Sequence, residues 1–155
     1  MSIELVRIDE RLIHGQIAYS WTIAYPVDHI MVIDDFVAKD PTQKMLLGLA
    51  VPRGKKYTVL TVEEATQYLK IERSERIFIV VKNPQTLLRL LENGIHFSDI
   101  NVGGMYYKPG KVEISKTVYL NDEDKSIFRK IKDYGVRCEI RTSPNDKSIN
   151  LFKYI

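Results

Sequence analysis

Short runs of consecutive apolar residues recur along this chain, and amphipathic stretches separate them. A continuous apolar run is typical of a parallel strand that helices cover on both faces, whereas a 3.6-residue apolar period is typical of a surface helix. The runs predict strands at 3–8, 29–33, 57–60, 77–81, 99–102 and 136–140. Shorter extended segments are expected at 112–114 and 118–120, and the tail, 148–155, is expected to pack as a short helix.

Capping residues mark where helices begin between these strands. Asp40 and Asn83 each precede a proline, which is favoured at the first helical position after a side-chain cap. Thr61, with Glu64 three residues later, has the pattern of a capping box, and Asn121 should cap the last helix. These patterns predict helices over 15–24, 41–51, 62–69, 84–93 and 122–134.

The order of these elements predicts the fold. In the first helix Ile17, Trp21 and Ala24 lie at i, i+4 and i+7, so they should form its buried face. The second helix carries Met45, Leu46, Leu49 and Ala50. Because strand and helix alternate, we expect an α/β fold: an open, mostly parallel, doubly wound sheet with helices on both faces. No long linker or repeat divides the chain, so we expect a single domain over 1–155.

Composition narrows the class of partner. The chain carries 23 Lys and Arg against 20 Asp and Glu, a net charge of +3, which is too weakly basic to argue for nucleic acid. No apolar run approaches the roughly 20 residues that cross a bilayer, and no signal-peptide pattern is evident. The one cysteine, Cys138, falls in a predicted strand and should be a small core residue. These features predict a cytoplasmic protein.

Polar residues directly follow several predicted strands, at the edge where parallel sheets bind ligands. Besides His14, which lies after the first strand, they are Asp34, Asp35, Lys82, Asn83, Gly103 and Gly104. The loop from Asp9 to His14 should therefore share one rim with these residues. The imidazole of His14 should be open to solvent on that rim, so that a partner protein can reach it.

His14 is the candidate with the most specific chemistry. It lies where a strand, a charged loop and a helix N-terminus meet, a geometry that suits an anion. Attack on phosphorus needs an unprotonated ring nitrogen, and the helix end, with Arg7 and Arg11 nearby, disfavours a second proton. The same guanidiniums would neutralise a phosphoryl group in transfer, and Asp9 would orient a guanidinium or the imidazole. We interpret His14 as the covalent carrier of a phosphoryl group.

The start of the first helix completes this candidate site. Gly15 lets the backbone approach a phosphate closely, and a bound phosphate should lie beside the amides of Gly15 and Gln16. Spacing alone leaves a plainer interpretation open. A histidine at a helix start can be an ordinary surface residue, and the charged residues before it can form a surface ion-pair cluster of little energetic value.

Two other classes of protein remain as alternatives. Asp34, Asp35 and Lys82 resemble the acidic pair and lysine of a receiver domain, but the third predicted strand ends without the acceptor aspartate that a receiver needs. A nucleotide-binding module would need a G-x-G-x-x-G or Walker motif, and residues 7–15 contain neither. The three histidines lack the spacing of a ligand set, so we expect no metal.

Three segments resemble a known family. Residues 7–16 read RIDERLIHGQ, residues 101–105 read NVGGM and residues 108–111 read KPGK. Together they are similar to the IIB component of the bacterial phosphoenolpyruvate-dependent sugar phosphotransferase system, in its mannose/fructose/sorbose class. The resemblance covers essentially the whole chain. The usual family pattern has aspartate where Glu10 stands, a change that keeps the charge.

The resemblance implies a place in sugar uptake. His14 would accept a phosphoryl group, on Nδ1, from a phosphohistidine of the IIA protein or domain, and donate it to a sugar bound by the membrane components IIC and IID. The activity implied is that of a protein-Npi-phosphohistidine–sugar phosphotransferase, with no cofactor. The chain would be cytoplasmic and transiently associated with the inner face of the membrane. The sugar, and whether the protein is a homo-oligomer, stay open.

Overall fold

A central seven-stranded sheet organises the molecule. The structure, a computed structural model, describes residues 2–155, so Met1 of the expected domain lies outside the described residues. The strands of this sheet are β1 (Ser2–Asp9), β2 (His29–Ile33), β3 (Lys56–Leu60), β4 (Arg76–Val81), β5 (Asp99–Gly104), β8 (Arg137–Ile140) and β9 (Ile149–Asn150). Side by side they lie in the order β3-β2-β4-β1-β5-β8-β9. All neighbours pair in parallel except β8 and β9, and β6 (Val112–Ser115) and β7 (Val118–Leu120) form a separate antiparallel hairpin.

Helices pack on both faces of the sheet, as the doubly wound prediction requires. They are α1 (Gly15–Ala24), α2 (Pro41–Gly48), α3 (Val62–Lys70), α4 (Pro84–Glu92) and α5 (Asp122–Asp133), with short 3-10 turns at Val37–Lys39 and Leu151–Lys153. One apolar cluster contains Trp21 of α1 and Leu47 of α2, and the other contains residues of α3, α4 and α5. The sheet is therefore buried from two sides, which explains its continuous apolar strands.

Strand register brings the loop after β1 beside two other strand ends. Ile8 pairs with Val81 of β4 and with Val102 of β5, and Asp9 lies opposite Gly104. Because these strands are parallel, the loops that follow them emerge together at one side of the sheet, which we call the carboxyl edge. The segments after β1, β4 and β5 therefore lie at one edge, where the sequence predicts a common rim, although Gly103 and Gly104 lie within β5 and not after it.

The predicted caps are confirmed by their hydrogen bonds. Asp40 accepts from the backbone amide of Gln43 at 3.1 Å, and Asn83 caps α4 in the same way. Thr61 and Asn121 each form a complete capping box at the start of α3 and α5. Local side-chain acceptors satisfy amides that have no partner within the helix, so these boundaries were readable from sequence.

Three details differ from the prediction. Ala24 is exposed because the buried face of α1 is rotated toward Ala18 and Thr22. α2 ends at Gly48, so Leu49 and Ala50 lie beyond it, and the side chains of its predicted apolar set face solvent at Met45, Leu46 and Leu49. The tail forms the edge strand β9 before its short 3-10 turn. The sequence did not predict this strand, because two residues are too few to show a periodic pattern.

Candidate functional site

The loop from Glu10 to His14 joins β1 to α1 and is anchored by apolar side chains. Leu12 and Ile13 are each 4% exposed and pack into the cluster beneath α1 and α2. Leu12 has φ +60°, a left-handed conformation that costs a non-glycine residue energy, and Gly15 follows with φ +41°. The tight path of this loop therefore depends on two left-handed residues, of which one is glycine.

Arg7 is buried beside this loop and fully engaged. Its side chain is 2% exposed and donates to Asn101 Oδ1, to Asp9 Oδ2 at 3.1 Å and to the carbonyl of Arg141 at 3.2 Å. Its guanidinium carbon lies 5.2 Å from the ring centre of Trp21 in α1. Burial lowers the pKa of Arg7, and the carboxylate of Asp9 opposes that effect. Arg7 therefore organises the site from below, away from solvent.

The predicted rim glycines have a steric role around these charges. A Cβ on Gly103 would overlap the Cζ and both terminal nitrogens of Arg7, whose hydrogen bonds leave it no room to move. A Cβ on Gly104 would lie 2.6 Å from the hydroxyl of Tyr106 and 2.8 Å from Asp9 Oδ1. Both positions need glycine because charged or polar groups lie directly on the strand.

Asp9 links the buried part of the site to its exposed part. Its carboxylate is 0% exposed and accepts from Arg7 on one oxygen and from the backbone amide of Arg11, at 3.0 Å, on the other. The Nε of Arg11 lies 3.4 Å from the same second oxygen. The Arg11 side chain is 47% exposed and its guanidinium carbon lies 5.1 Å from the ring centre of Tyr106. Arg11 is thus the more exposed of the two arginines.

His14 is the N-cap residue of α1, yet its side chain makes no capping hydrogen bond. Both ring nitrogens are covered, exposing less than 1 Å² each, and neither has a hydrogen-bond partner among residues 2–155. The prediction that the imidazole is open to solvent is therefore wrong for its nitrogens. The residue as a whole remains partly exposed.

The surroundings of His14 favour its neutral form. Burial lowers the pKa of His14 below its usual value, and Arg11 and Arg7 lower it further. Asp9 and the backbone of Leu12 act in the opposite direction and are outweighed. The Leu12 carbonyl favours the charged ring without meeting hydrogen-bond geometry. A histidine in this state keeps a lone pair on one ring nitrogen at neutral pH, as a nucleophile requires.

The remaining rim residues have structural bonds of their own. Asp34 is buried and accepts from the amides of Phe36 and Val37, and Asn83 caps α4. Asp35 accepts from the amide of Val62 and from Arg89. Lys82 is partly exposed and forms no ion pair within 4.0 Å inside the described range. These bonds account for most of the rim without any ligand.

Sequence reasoning missed several residues that complete the site. Asn101 holds Arg7, the carbonyl of Arg141 accepts from both of them, and Tyr106 packs against Arg11. Asn101 is a polar residue inside an apolar strand, a signal that was available in the sequence. The others depend on strands that meet only in the folded protein.

Two residues that hold Arg7, Asn101 and Arg141, also line a groove. This groove has a volume of about 920 Å³ and lies over β1, β5 and β8; its lining also includes Tyr25, Arg137 and Glu139 but not His14. Among residues 2–155, no three His, Cys, Asp or Glu side chains lie close enough to hold a metal ion. The same part of the chain contains no helix long and apolar enough to cross a membrane.

Comparison with known proteins identifies the family. Residues 3–155 match the family model described as the PTS system sorbose subfamily IIB component. The chain belongs to this family. It is a IIB component of phosphotransferase-system sugar uptake, as the resemblance of residues 7–16 implied. The expected open, mostly parallel sheet is that of the family's solved structures.

Individual relatives agree with this assignment. The N-acetylgalactosamine-specific phosphotransferase enzyme IIB component 1 of Escherichia coli K12 is 38% identical over 148 residues, which are 94% of this chain and 94% of that protein. The crystal structure of the IIBSor domain of the Klebsiella pneumoniae sorbose permease superposes with a TM-score of 0.95 at 33% identity, covering 99% of this IIB chain and 95% of that one. The mannose-specific EIIAB component of E. coli K12 is 34% identical and matches all of this chain with 49% of its own length.

Proposed function

We propose that His14 accepts a phosphoryl group from a phosphohistidine of a IIA protein or domain and passes it to a sugar. The observation that carries this proposal is the state of the His14 ring. It lies at the N-terminus of α1 beside Arg7 and Arg11, and no structural hydrogen bond occupies either ring nitrogen within residues 2–155. Membership of a phosphotransferase family supports it further.

The bonds that form and break in the transfer to His14 involve only the two imidazoles and the phosphoryl group. The lone pair of an unprotonated His14 nitrogen, proposed to be Nδ1, forms a new N–P bond as the N–P bond of the donor breaks. The electron pair of the broken bond returns to the donor nitrogen. The lowered pKa of His14 keeps its lone pair available at neutral pH.

The neighbouring residues have distinct proposed roles. Arg11, half-exposed, neutralises the oxygens of the phosphoryl in transit, while Arg7 and Asp9 hold the site in shape from below. The backbone amides of Gly15 and Gln16, in the first turn of α1, would donate to the phosphoryl oxygens. Because the His14 nitrogens are covered, docking of the donor has to turn the ring or shift the loop before attack.

The proposed partners follow from this chemistry and from the relatives. A relative that combines A and B components in one protein supports a IIA donor for this chain. The proposed acceptor is a sugar held by the membrane components IIC and IID, so the protein would work in the cytoplasm and meet the membrane transiently. Residues 1–155 would act as one IIB unit without a cofactor.

Labelling tests this proposal directly. The chain is incubated with phosphoenolpyruvate, the general phosphotransferase proteins and a IIA protein, and the modified residue is mapped by mass spectrometry. We expect a phosphoramidate on His14, lost in acid and stable in base. Cleavage by hydroxylamine would instead indicate an aspartyl phosphate and the receiver-like alternative, and the absence of any label would remove the proposed donor.

A further inference from the structure

The hydroxyl of Tyr106 is a buried polar group that the proposed roles leave unused. Tyr106 lies two residues beyond β5, at the carboxyl edge. Its oxygen exposes less than 1 Å² and has no hydrogen-bond partner in the described part of the chain. A buried donor left without an acceptor lowers the stability of the folded state, so such groups in native proteins usually have a use.

Several contacts place Tyr106 beside Asp9, Arg11 and the loop that precedes His14. Its hydroxyl and Asp9 Oδ1 lie within 2.6 Å and 2.8 Å of the position that a Cβ on Gly104 would take. The guanidinium of Arg11 lies over the Tyr106 ring. The backbone amide of Tyr106 donates to Glu10, whose own amide donates to the carbonyl of Gly104 at 2.9 Å. Tyr106 is thereby tied to the loop that carries His14.

The hydroxyl is kept in its donor form. Burial raises the pKa of Tyr106, and the nearby carboxylate of Asp9 raises it further, so the proton stays on the oxygen at neutral pH. Asp9 Oδ1 accepts from the amide of Arg11, and neither Asp9 oxygen makes a hydrogen bond with the hydroxyl. The site therefore contains a protonated hydroxyl that lacks an acceptor in the unphosphorylated protein.

A phosphoryl group supplies three strong acceptor oxygens. We infer that Tyr106 is a phosphoryl-binding residue, whose hydroxyl donates to an oxygen of the phosphoryl carried on His14. The inference rests on the proposed function of His14. It explains why a hydroxyl without an acceptor is kept over Gly104, between Asp9 and the half-exposed Arg11.

Tyr106→Phe separates this role from simple packing, because it removes the hydroxyl and keeps the ring. Tyr107→Phe is the matched control: Tyr107 is 64% exposed and its ring contacts Tyr119 instead of Arg11. The first measurement is the equilibrium of phosphoryl exchange between phosphorylated IIA and each IIB variant. We expect Tyr106→Phe to shift it roughly tenfold toward phosphorylated IIA, the value of a hydrogen bond to a charged group, and Tyr107→Phe to leave it unchanged.

The second measurement is the melting temperature of both forms of each variant. Because the hydroxyl has no partner in the unphosphorylated protein, Tyr106→Phe should leave that melting temperature unchanged or raise it. In the phosphorylated protein the same variant should lower it. A merely structural hydroxyl would instead lower both values by the same amount.

The outcomes separate the two proposals. If the wild type takes up no label on His14, the proposed function of His14 fails. If the wild type is labelled and Tyr106→Phe matches it in exchange equilibrium, the role of Tyr106 is overturned while that of His14 stands. An equal loss of melting temperature in both forms also overturns it.

Discussion

Two histidines lie at opposite edges of the same sheet and differ in their hydrogen bonds. His29 begins β2, is 0% exposed and is bonded at both nitrogens, Nδ1 to Glu75 at 3.0 Å and Nε2 to Thr58 at 2.7 Å. His14 follows β1 at the carboxyl edge and is bonded at neither nitrogen within residues 2–155. Burial is the largest cause that lowers the pKa of each.

A lowered pKa therefore does not separate a structural histidine from a reactive one. The bonds of His29 fix its tautomer: Nδ1 donates to the carboxylate of Glu75, and Nε2 accepts from the hydroxyl of Thr58. Its lone pair is occupied, so it holds β2, β3 and the start of β4 together. The ring nitrogens of His14 have no hydrogen-bond partner within residues 2–155, so its lone pair is unoccupied.

The largest expected effect is that of replacing His14 itself. His14→Ala should take up no phosphoryl group, because it lacks the proposed nucleophile. Its free energy of unfolding should change by less than about 1 kcal/mol, since the ring nitrogens have no hydrogen bonds to lose. Radiolabel uptake and urea unfolding measure the two effects, and label on the variant at the wild-type level would place the acceptor elsewhere.

His29→Ala should show the opposite pattern. Removing this ring leaves Glu75 and Thr58 without their partner and opens a cavity, so unfolding should become easier by roughly 2–4 kcal/mol. The folded fraction should still be labelled as the wild type is. His96→Ala, at an exposed position, serves as the control that changes neither quantity. Loss of labelling in folded His29→Ala would remove the distinction between the two histidines.

Arg11→Ala tests whether the charge beside His14 contributes to phosphoryl transfer. Loss of a charge that faces the phosphoryl should slow transfer about 100-fold, and Arg11→Lys should rescue it only in part because lysine lacks the planar fork. Stability should hardly change, since the side chain is 47% exposed and its contact with Asp9 is long. Quenched time courses of phosphoryl transfer measure the rate, and melting curves measure the stability.

Arg89→Ala is the matched control for Arg11. Arg89 is also half-exposed, at 53%, and pairs with Asp35 at 2.8 Å, and within residues 2–155 its side chain makes no hydrogen bond or ion pair with the loop of His14. Its variant should transfer at the wild-type rate. Equal rates for Arg11→Ala and Arg89→Ala would show that Arg11 has no special role.

The smallest expected effect is on the pH dependence of stability. Both histidines have a lowered pKa in the folded protein, so the unfolded chain binds protons more readily as pH falls through about 6.5. Stability should therefore rise with pH between 5.5 and about 7. His14→Ala and His29→Ala should each flatten this slope in urea unfolding at pH 5.5 and 7.5, and an unchanged slope in both would contradict the lowered values.

The sequence could predict those features of the fold and the site that patterns of neighbouring residues determine. The strands at the centre of the sheet, the caps and the charged loop at His14 follow from apolar runs and side-chain acceptors close in sequence. The network beneath them does not, because Arg7 and Asn101 are 94 residues apart and meet only through the pairing of β1 with β5. The cover over the His14 nitrogens is likewise a product of tertiary packing.

Because the guanidinium of Arg7 lies on Gly103, the substitutions that each of these two positions can accept depend on the other position. With Arg7 in place, any side chain at Gly103 overlaps a group held by three hydrogen-bond partners. Replacing Arg7 by a smaller residue removes the three atoms that lie nearest to a Cβ at Gly103. The pair is therefore epistatic, and its two changes can accumulate only in one order, arginine first. A relative with a side chain at this glycine should already have lost the arginine, and with it the support under the histidine loop.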